Sequence, residues 1–127
     1  MVVVGGAIGA PLRYLVDLLV QSRHDSVFPW GTFLVNVSGS FVLGVVAAVV
    51  GSVAAPAWLL PLVGVGVCGA FTTFSTFGFE TVRLIEEGSW LTAAANSLGS
   101  LVVGLAAVAA GFAATAALLD AASVPLG

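Results

Sequence analysis

Apolar residues dominate the chain in four long runs, separated by short joints that are polar or carry proline. The runs cover residues 2–19, 32–53, 57–79 and 90–118. A helix needs about 20 mostly apolar residues to cross bilayer hydrocarbon, so each run suffices for one crossing and the last exceeds it. The joints read QSRHDSVFPWG, AAPAW and RLIEEGSW. Trp30, Trp58 and Trp90 fall at predicted ends, where indole rings favour the lipid–water boundary. The pattern predicts an all-α membrane protein of four transmembrane helices with both termini on one side.

The polar positions inside the runs are not scattered. Asn36, Ser40 and Gly44 are spaced i, i+4, i+8 and share one face of the second helix. Asn96, Ser100 and Gly104 repeat that face on the fourth. Sliding the chain along itself by 60 positions aligns WGTFLVNVSGSFVLGVVAAVVG with WLTAAANSLGSLVVGLAAVAAG, with 9 identities in 22 positions. Gly6, Gly9 and Ala10 meet Gly66, Gly69 and Ala70 at the same offset. We read one membrane domain over residues 1–127 with an internal two-span repeat, 1–60 and 61–120. With two spans per unit, the halves run the same way through the membrane.

The repeat locates where the halves diverge. Opposite the helical LRYLVD of 12–17 lies TTFSTF at 72–77, inside GAFTTFSTFGFE at 69–80. Those twelve positions hold four hydroxyls and four phenylalanines. Threonine and serine hydroxyls bond freed carbonyls, which lets a helix break at membrane depth. A break at 69–75, near the middle of the third helix, turns carbonyls and N–H groups inward as ion ligands. Phe74 and Phe77, at i and i+3, can present electropositive ring edges to one line and face a small anion. The alternative is an aromatic packing pair beside a hydroxyl-capped kink. For Asn36 and Asn96 the choice lies between a polar path and close helix packing, which also uses Asn, Ser and Gly.

Composition narrows the class. Of 127 residues, 60% are hydrophobic and 7% charged, against roughly a quarter charged in soluble domains. Three arginines and no lysine exclude a nucleic-acid surface. The single cysteine, Cys68, excludes an intramolecular disulfide and a cysteine metal cluster. The start of the chain lacks a basic segment before its apolar run, so that run reads as a membrane span and not a cleaved signal peptide. An enzyme is disfavoured: a hydroxyl nucleophile needs a nearby base, and the only histidine, His24, lies in a different loop. Arg13 is the lone cation of the first helix; pairing across an interface or with a helix C-terminus, snorkelling and anion attraction all remain open. Glu80, Arg83, Glu86 and Glu87 read as a charged helix end, with Glu80 nearest an entrance.

In this order, GGAIGAPLRY, GTFLVNVSGSFVLG and GVCGAFTTFSTFGFE resemble the CrcB/Fluc fluoride channels of microbes, over nearly all four spans. The resemblance implies a four-helix subunit that assembles as an antiparallel, dual-topology dimer with two anion pores, in the cell membrane. It implies passive export of cytoplasmic fluoride that relieves fluoride toxicity. It also implies a structural sodium ion, not transported, held at the dimer centre by the main-chain carbonyls of Gly69 and Thr72. Matched motif to motif, the pore would be lined by Asn36, Phe74, Ser75, Thr76 and Phe77, with Asn96 and Ser100 on a polar track of the fourth helix. Two positions depart from the common pattern: Ala70 stands where glycine is frequent, and some members carry a tyrosine near Asn96. Some members also pair with an oppositely inserted paralogue. Arg23 and Arg83 fall on one side of the membrane and no basic residue on the other, a slight bias compatible with insertion both ways. The rival is a small four-span proton-coupled multidrug exporter, which needs a carboxylate deep in its first helix; Asp17, the only acid of that span, lies near its end.

Overall fold

The computed structural model describes residues 1–52 and 55–123. Its first two helices are α1, Val2–Gln21, and α2, Trp30–Ser52. The third crossing is composite: a π-helical segment, Leu60–Cys68, a single turn α3, Gly69–Phe71, and α4, Phe74–Glu86. The fourth is α5, Trp90–Ser123. Four helical stretches among the described residues are long and apolar enough to cross a membrane, the third running Leu60–Glu86. The expected end of the second span, Val53, lies outside the described residues.

Neighbouring helices touch where glycines remove the side chain. A Cβ on Gly5 or Gly9 of α1 would stand 2.1 Å from the Leu62 carbonyl oxygen or 2.3 Å from that of Val67. A Cβ on Gly44 of α2 would stand 2.2 Å from the Val108 carbonyl, and one on Gly111 of α5 2.3 Å from that of Phe41. In lipid no hydrophobic force drives helices together, so small residues that let backbones approach gain dispersion contacts and hold the bundle. Thus α1 packs on the π segment and α2 on α5. The fully enclosed core is small, with Val35, Val46, Ala48, Leu84 and Ala93 buried. Most large apolar side chains point outward, as hydrocarbon on the outside permits.

The joint between α4 and α5 is a Schellman stop. Gly88 takes φ +80°, its N–H bonds Ile85 O at 3.0 Å, and Ser89 N–H bonds Leu84 O at 2.8 Å. Only glycine enters that conformation without strain, so RLIEEGSW turns within a few residues. Trp30, Trp58 and Trp90 are exposed at helix ends. Phe28, Trp30 and Phe33 cluster at the start of α2 with centroids 4.7–5.8 Å apart, Phe33 edge-on to the other two rings.

Two boundaries differ from the sequence pattern. The third span continues to Glu86, past the expected 79, because α4 goes on as an amphipathic helix whose charges ended the apolar run. The fourth helix runs to Ser123, beyond 118.

Candidate functional site

The third crossing breaks at two residues. Gly69 is still helical, at φ −64° and ψ −36°. Thr72 turns to ψ 157° and Thr73 to φ −146°, ψ 126°. Ser75 already lies within α4, so the interruption is narrower than the expected 69–75.

The break is held by α2. Asn36 Nδ2 donates to the Thr73 carbonyl at 2.9 Å, and Thr73 N–H donates to Asn36 Oδ1 at 2.7 Å. The amide thus pairs with one residue's main chain as a second peptide would, and the peptide's own polarity fixes which end of the amide is oxygen. Thr73 Oγ1 accepts the Thr76 N–H at 3.3 Å and lies 3.0 Å from Thr76 Oγ1, forming the N-cap of α4. Thr72 Oγ1 bonds back to Cys68 O at 2.8 Å.

These bonds release two carbonyls. In a continuous helix Gly69 C=O accepts the Thr73 N–H, and Thr72 C=O the Thr76 N–H. The first donor is diverted to Asn36 and the second to the Thr73 hydroxyl. Arg13 Nη1 comes to 3.5 Å from Thr72 O, at the limit of a hydrogen bond. Gly69 is exposed, and nothing stands within 4 Å of where its Cβ would be. Gly39 supplies the clearance opposite: a Cβ there would meet Thr72 Cγ2 at 2.4 Å.

A groove of about 410 Å³ opens on the flank of the chain over this break. Asn36, Ser40, Thr73 and Ser100 bring polar groups to it, and Phe74 and Phe77 its rings, with centroids 5.9 Å apart and planes at 43°. Its described lining contains no charged side chain. Phe74 is 83% exposed in the single chain.

The expected site residues therefore divide. Asn36, Phe74, Phe77, Ser100, Gly69 and Thr72 meet at the groove. Thr76 faces a smaller cavity of about 140 Å³ with Arg13, Thr32 and Thr73. Ser75 is exposed, its hydroxyl 3.4 Å from Thr73 Oγ1. Asn96 is wholly buried behind the groove and donates to Thr81 Oγ1 at 2.9 Å. Glu80 accepts the Thr32 hydroxyl at 3.0 Å and borders a basin of about 480 Å³ at one membrane face, with Asp17, His24 and Arg83. Sequence reasoning missed Thr73 as the organiser of the break; a hydroxyl three residues before Thr76 at a helix start is the signal that marks it. It also missed Thr81, for which no local pattern speaks.

Fold and site together define a multi-pass membrane protein of the cell membrane, with an uncharged polar groove beside a broken helix. The chain belongs to the CrcB-like protein, Camphor Resistance (CrcB) family, whose sequence profile matches residues 1–112. It is 54% identical over 116 residues to Fluoride-specific ion channel FluC 1 of Frankia casuarinae, covering 87% of this chain and 90% of that protein. Fluoride-specific ion channel FluC 1 of Streptomyces avermitilis is 50% identical over 111 residues, with the same coverage. Fluoride-specific ion channel FluC of a Shewanella species is 49% identical over 96 residues, covering 76% of this chain and 77% of its own length.

Proposed function

We propose that the chain is a fluoride-selective passive channel that lets cytoplasmic fluoride leave the cell and so relieves its toxicity. The observation that carries the reading is the groove: hydroxyl, amide and ring-edge donors without a lysine or arginine, in a chain whose relatives are named fluoride-specific channels. Fluoride is small and strongly hydrated, so close donors must replace its water. A fixed positive charge on the path would hold the anion too well, whereas conduction needs sites weak enough to leave. Hydrogen fluoride enters a cell as a neutral acid and dissociates inside, so a passive anion path empties it.

In this reading Asn36, Phe74, Phe77 and Ser100 line the path, Ser75 and Thr76 continue it past the break, and Asn96 serves it from behind Ser100. An amide nitrogen carries two N–H groups; one of Asn36's goes to Thr73, which leaves the other for the groove. The working unit is an antiparallel dual-topology dimer, of two copies or of this chain with an oppositely inserted paralogue. Its support is that Gly69, Ser75 and Phe74 lie exposed in one protomer, beside polar groups that lipid does not satisfy. A second subunit covers them.

The released Gly69 and Thr72 carbonyls suit a hard cation by donor type, and the absence of a carboxylate in the groove lining suits a monovalent one. Sodium held there supplies positive charge that lowers the cost of an anion inside the membrane. Asn36 and Thr73 divert the N–H groups that would otherwise occupy both oxygens. The Arg13 guanidinium shares the Thr72 oxygen, so the cation and Arg13 compete for that ligand.

Purified protein in liposomes tests the function. Fluoride should flow down its gradient without a proton gradient, with chloride strongly excluded. Comparable chloride flux sinks the selectivity claim, and a strict proton requirement favours an exporter.

A further inference from the structure

Behind the groove a chain of hydrogen bonds runs from the Phe77 carbonyl to the Ser100 hydroxyl. Asn96, wholly buried, donates from Nδ2 to Thr81 Oγ1 at 2.9 Å. Thr81 Oγ1 donates in turn to the Phe77 carbonyl at 2.8 Å. At the other end Ser100 Oγ donates to Asn96 Oδ1 at 3.4 Å, and Ser100 lines the groove.

The direction of this chain follows from proton counting. A hydroxyl has one proton and two lone pairs. Thr81 commits its proton to Phe77 O, so it meets Asn96 only as an acceptor. That fixes the amide: its NH₂ faces Thr81 and its oxygen faces Ser100. The serine proton therefore has a resting acceptor, and at 3.4 Å the bond to it is long and loosely held. An anion reaching the groove takes that proton from one acceptor to another instead of gaining a new hydrogen bond outright.

We propose that Thr81 is a positioning residue that keeps the Ser100 donor weak toward the permeating anion, an inference that rests on the channel reading. Without the Thr81 hydroxyl, the buried amide flips to give its N–H to Ser100 Oγ, because a buried donor left unmade is costly. Ser100 then loses the Asn96 Oδ1 acceptor, and its proton is polarised by the bond its oxygen receives. The anion is held more tightly and leaves more slowly.

The test is the concentration dependence of initial fluoride efflux from proteoliposomes, for wild type, Thr81→Val and Thr81→Ser, each verified as a dimer. Thr81→Val should lower both the half-saturating fluoride concentration and the maximal flux, by about fivefold each, the effect of one buried hydrogen bond. Thr81→Ser restores both. A merely structural role lowers flux without tightening saturation, so a half-saturation unchanged or raised in Thr81→Val overturns the proposal. Should Thr81→Val not assemble, Thr81→Ala removes the same hydroxyl, and the same two outcomes decide. Wild-type protein that passes no fluoride ends the channel reading and this one with it. Fluoride-conducting wild type with an unshifted Thr81→Val ends this one alone.

Discussion

Replacing Asn36 by leucine, which branches at the same atom and carries no polar atoms, tests the origin of the helix break directly. The substitution removes the bonds at 2.7 and 2.9 Å to the main chain of Thr73. A buried polar group left without its partner costs about 1–3 kcal/mol, so two such groups set an upper range of about 2–6 kcal/mol. Hydrogen bonds between helices in lipid average only about 0.6 kcal/mol each, which sets a floor near 1 kcal/mol. A middle value of about 3 kcal/mol shifts a two-state equilibrium by roughly a hundredfold. The competing state is identifiable: the orphaned Thr73 N–H turns back to Gly69 C=O and the helix closes. Asn36→Leu should therefore move the ¹³Cα and ¹³Cβ resonances of Thr73 from extended toward helical values and lower fluoride efflux at least tenfold. Asn36→Asp keeps an acceptor for the Thr73 N–H, so its Thr73 should stay nearer wild type. Lost flux by itself fits a direct role for the amide in the path as well. The reasoning about the break is refuted if Thr73 keeps its extended resonances in an assembled Asn36→Leu protein.

Three further outcomes follow from the same geometry. Phe74→Ile and Phe77→Ile should each reduce fluoride efflux with the dimer intact, because an aliphatic side chain lacks the polarised ring edge; wild-type flux in the assembled double variant returns the pair to packing. Replacing all sodium with a large organic cation should weaken the dimer or silence the pores, as read by cross-linking and efflux, and unchanged behaviour after exhaustive sodium removal discards the cation assignment. Gly44→Val should lower the unfolding temperature and loosen α2 from α5, since its Cβ would stand 2.2 Å from the Val108 carbonyl; overpacking of this kind costs about 1–3 kcal/mol, and an unshifted unfolding temperature counts against backbone contact there.

How much of this was legible depends on whether the signal was local. The four crossings were, because apolar length alone reports them, and Trp90 marked the start of α5 correctly. The break was visible as a density of hydroxyls in TTFSTF, although its centre is Thr72–Thr73 and Gly69 stays helical. The π winding of Leu60–Cys68 left no trace, since a segment apolar on every side has no stripe whose period separates π from α. The end of the third span was misplaced for the opposite reason: the charges from Glu80 onward end the apolar run, yet the helix continues through them as an amphipathic segment. The clasp between Asn36 and Thr73 spans 37 residues. No spacing rule within one helix reaches that far, so the sequence identifies Asn36 as costly in lipid without saying what it holds.

That clasp ties the two halves of the site into one argument. An intact helix offers an ion nothing, because each interior carbonyl and N–H is already paired with its own neighbour. To free the Gly69 and Thr72 carbonyls, the chain must supply other acceptors for the Thr73 and Thr76 N–H groups, and it does so from the Asn36 side chain and the Thr73 hydroxyl. The same substitution of side chain for backbone turns Phe74 and Phe77 into the groove at the start of α4. The freed carbonyls and the groove-facing rings thus rest on the same two diverted N–H groups, those of Thr73 and Thr76. A protein that kept the rings but lost Asn36 should lose the proposed cation binding and the fluoride flux together, which separates this account from one in which the phenylalanines act alone.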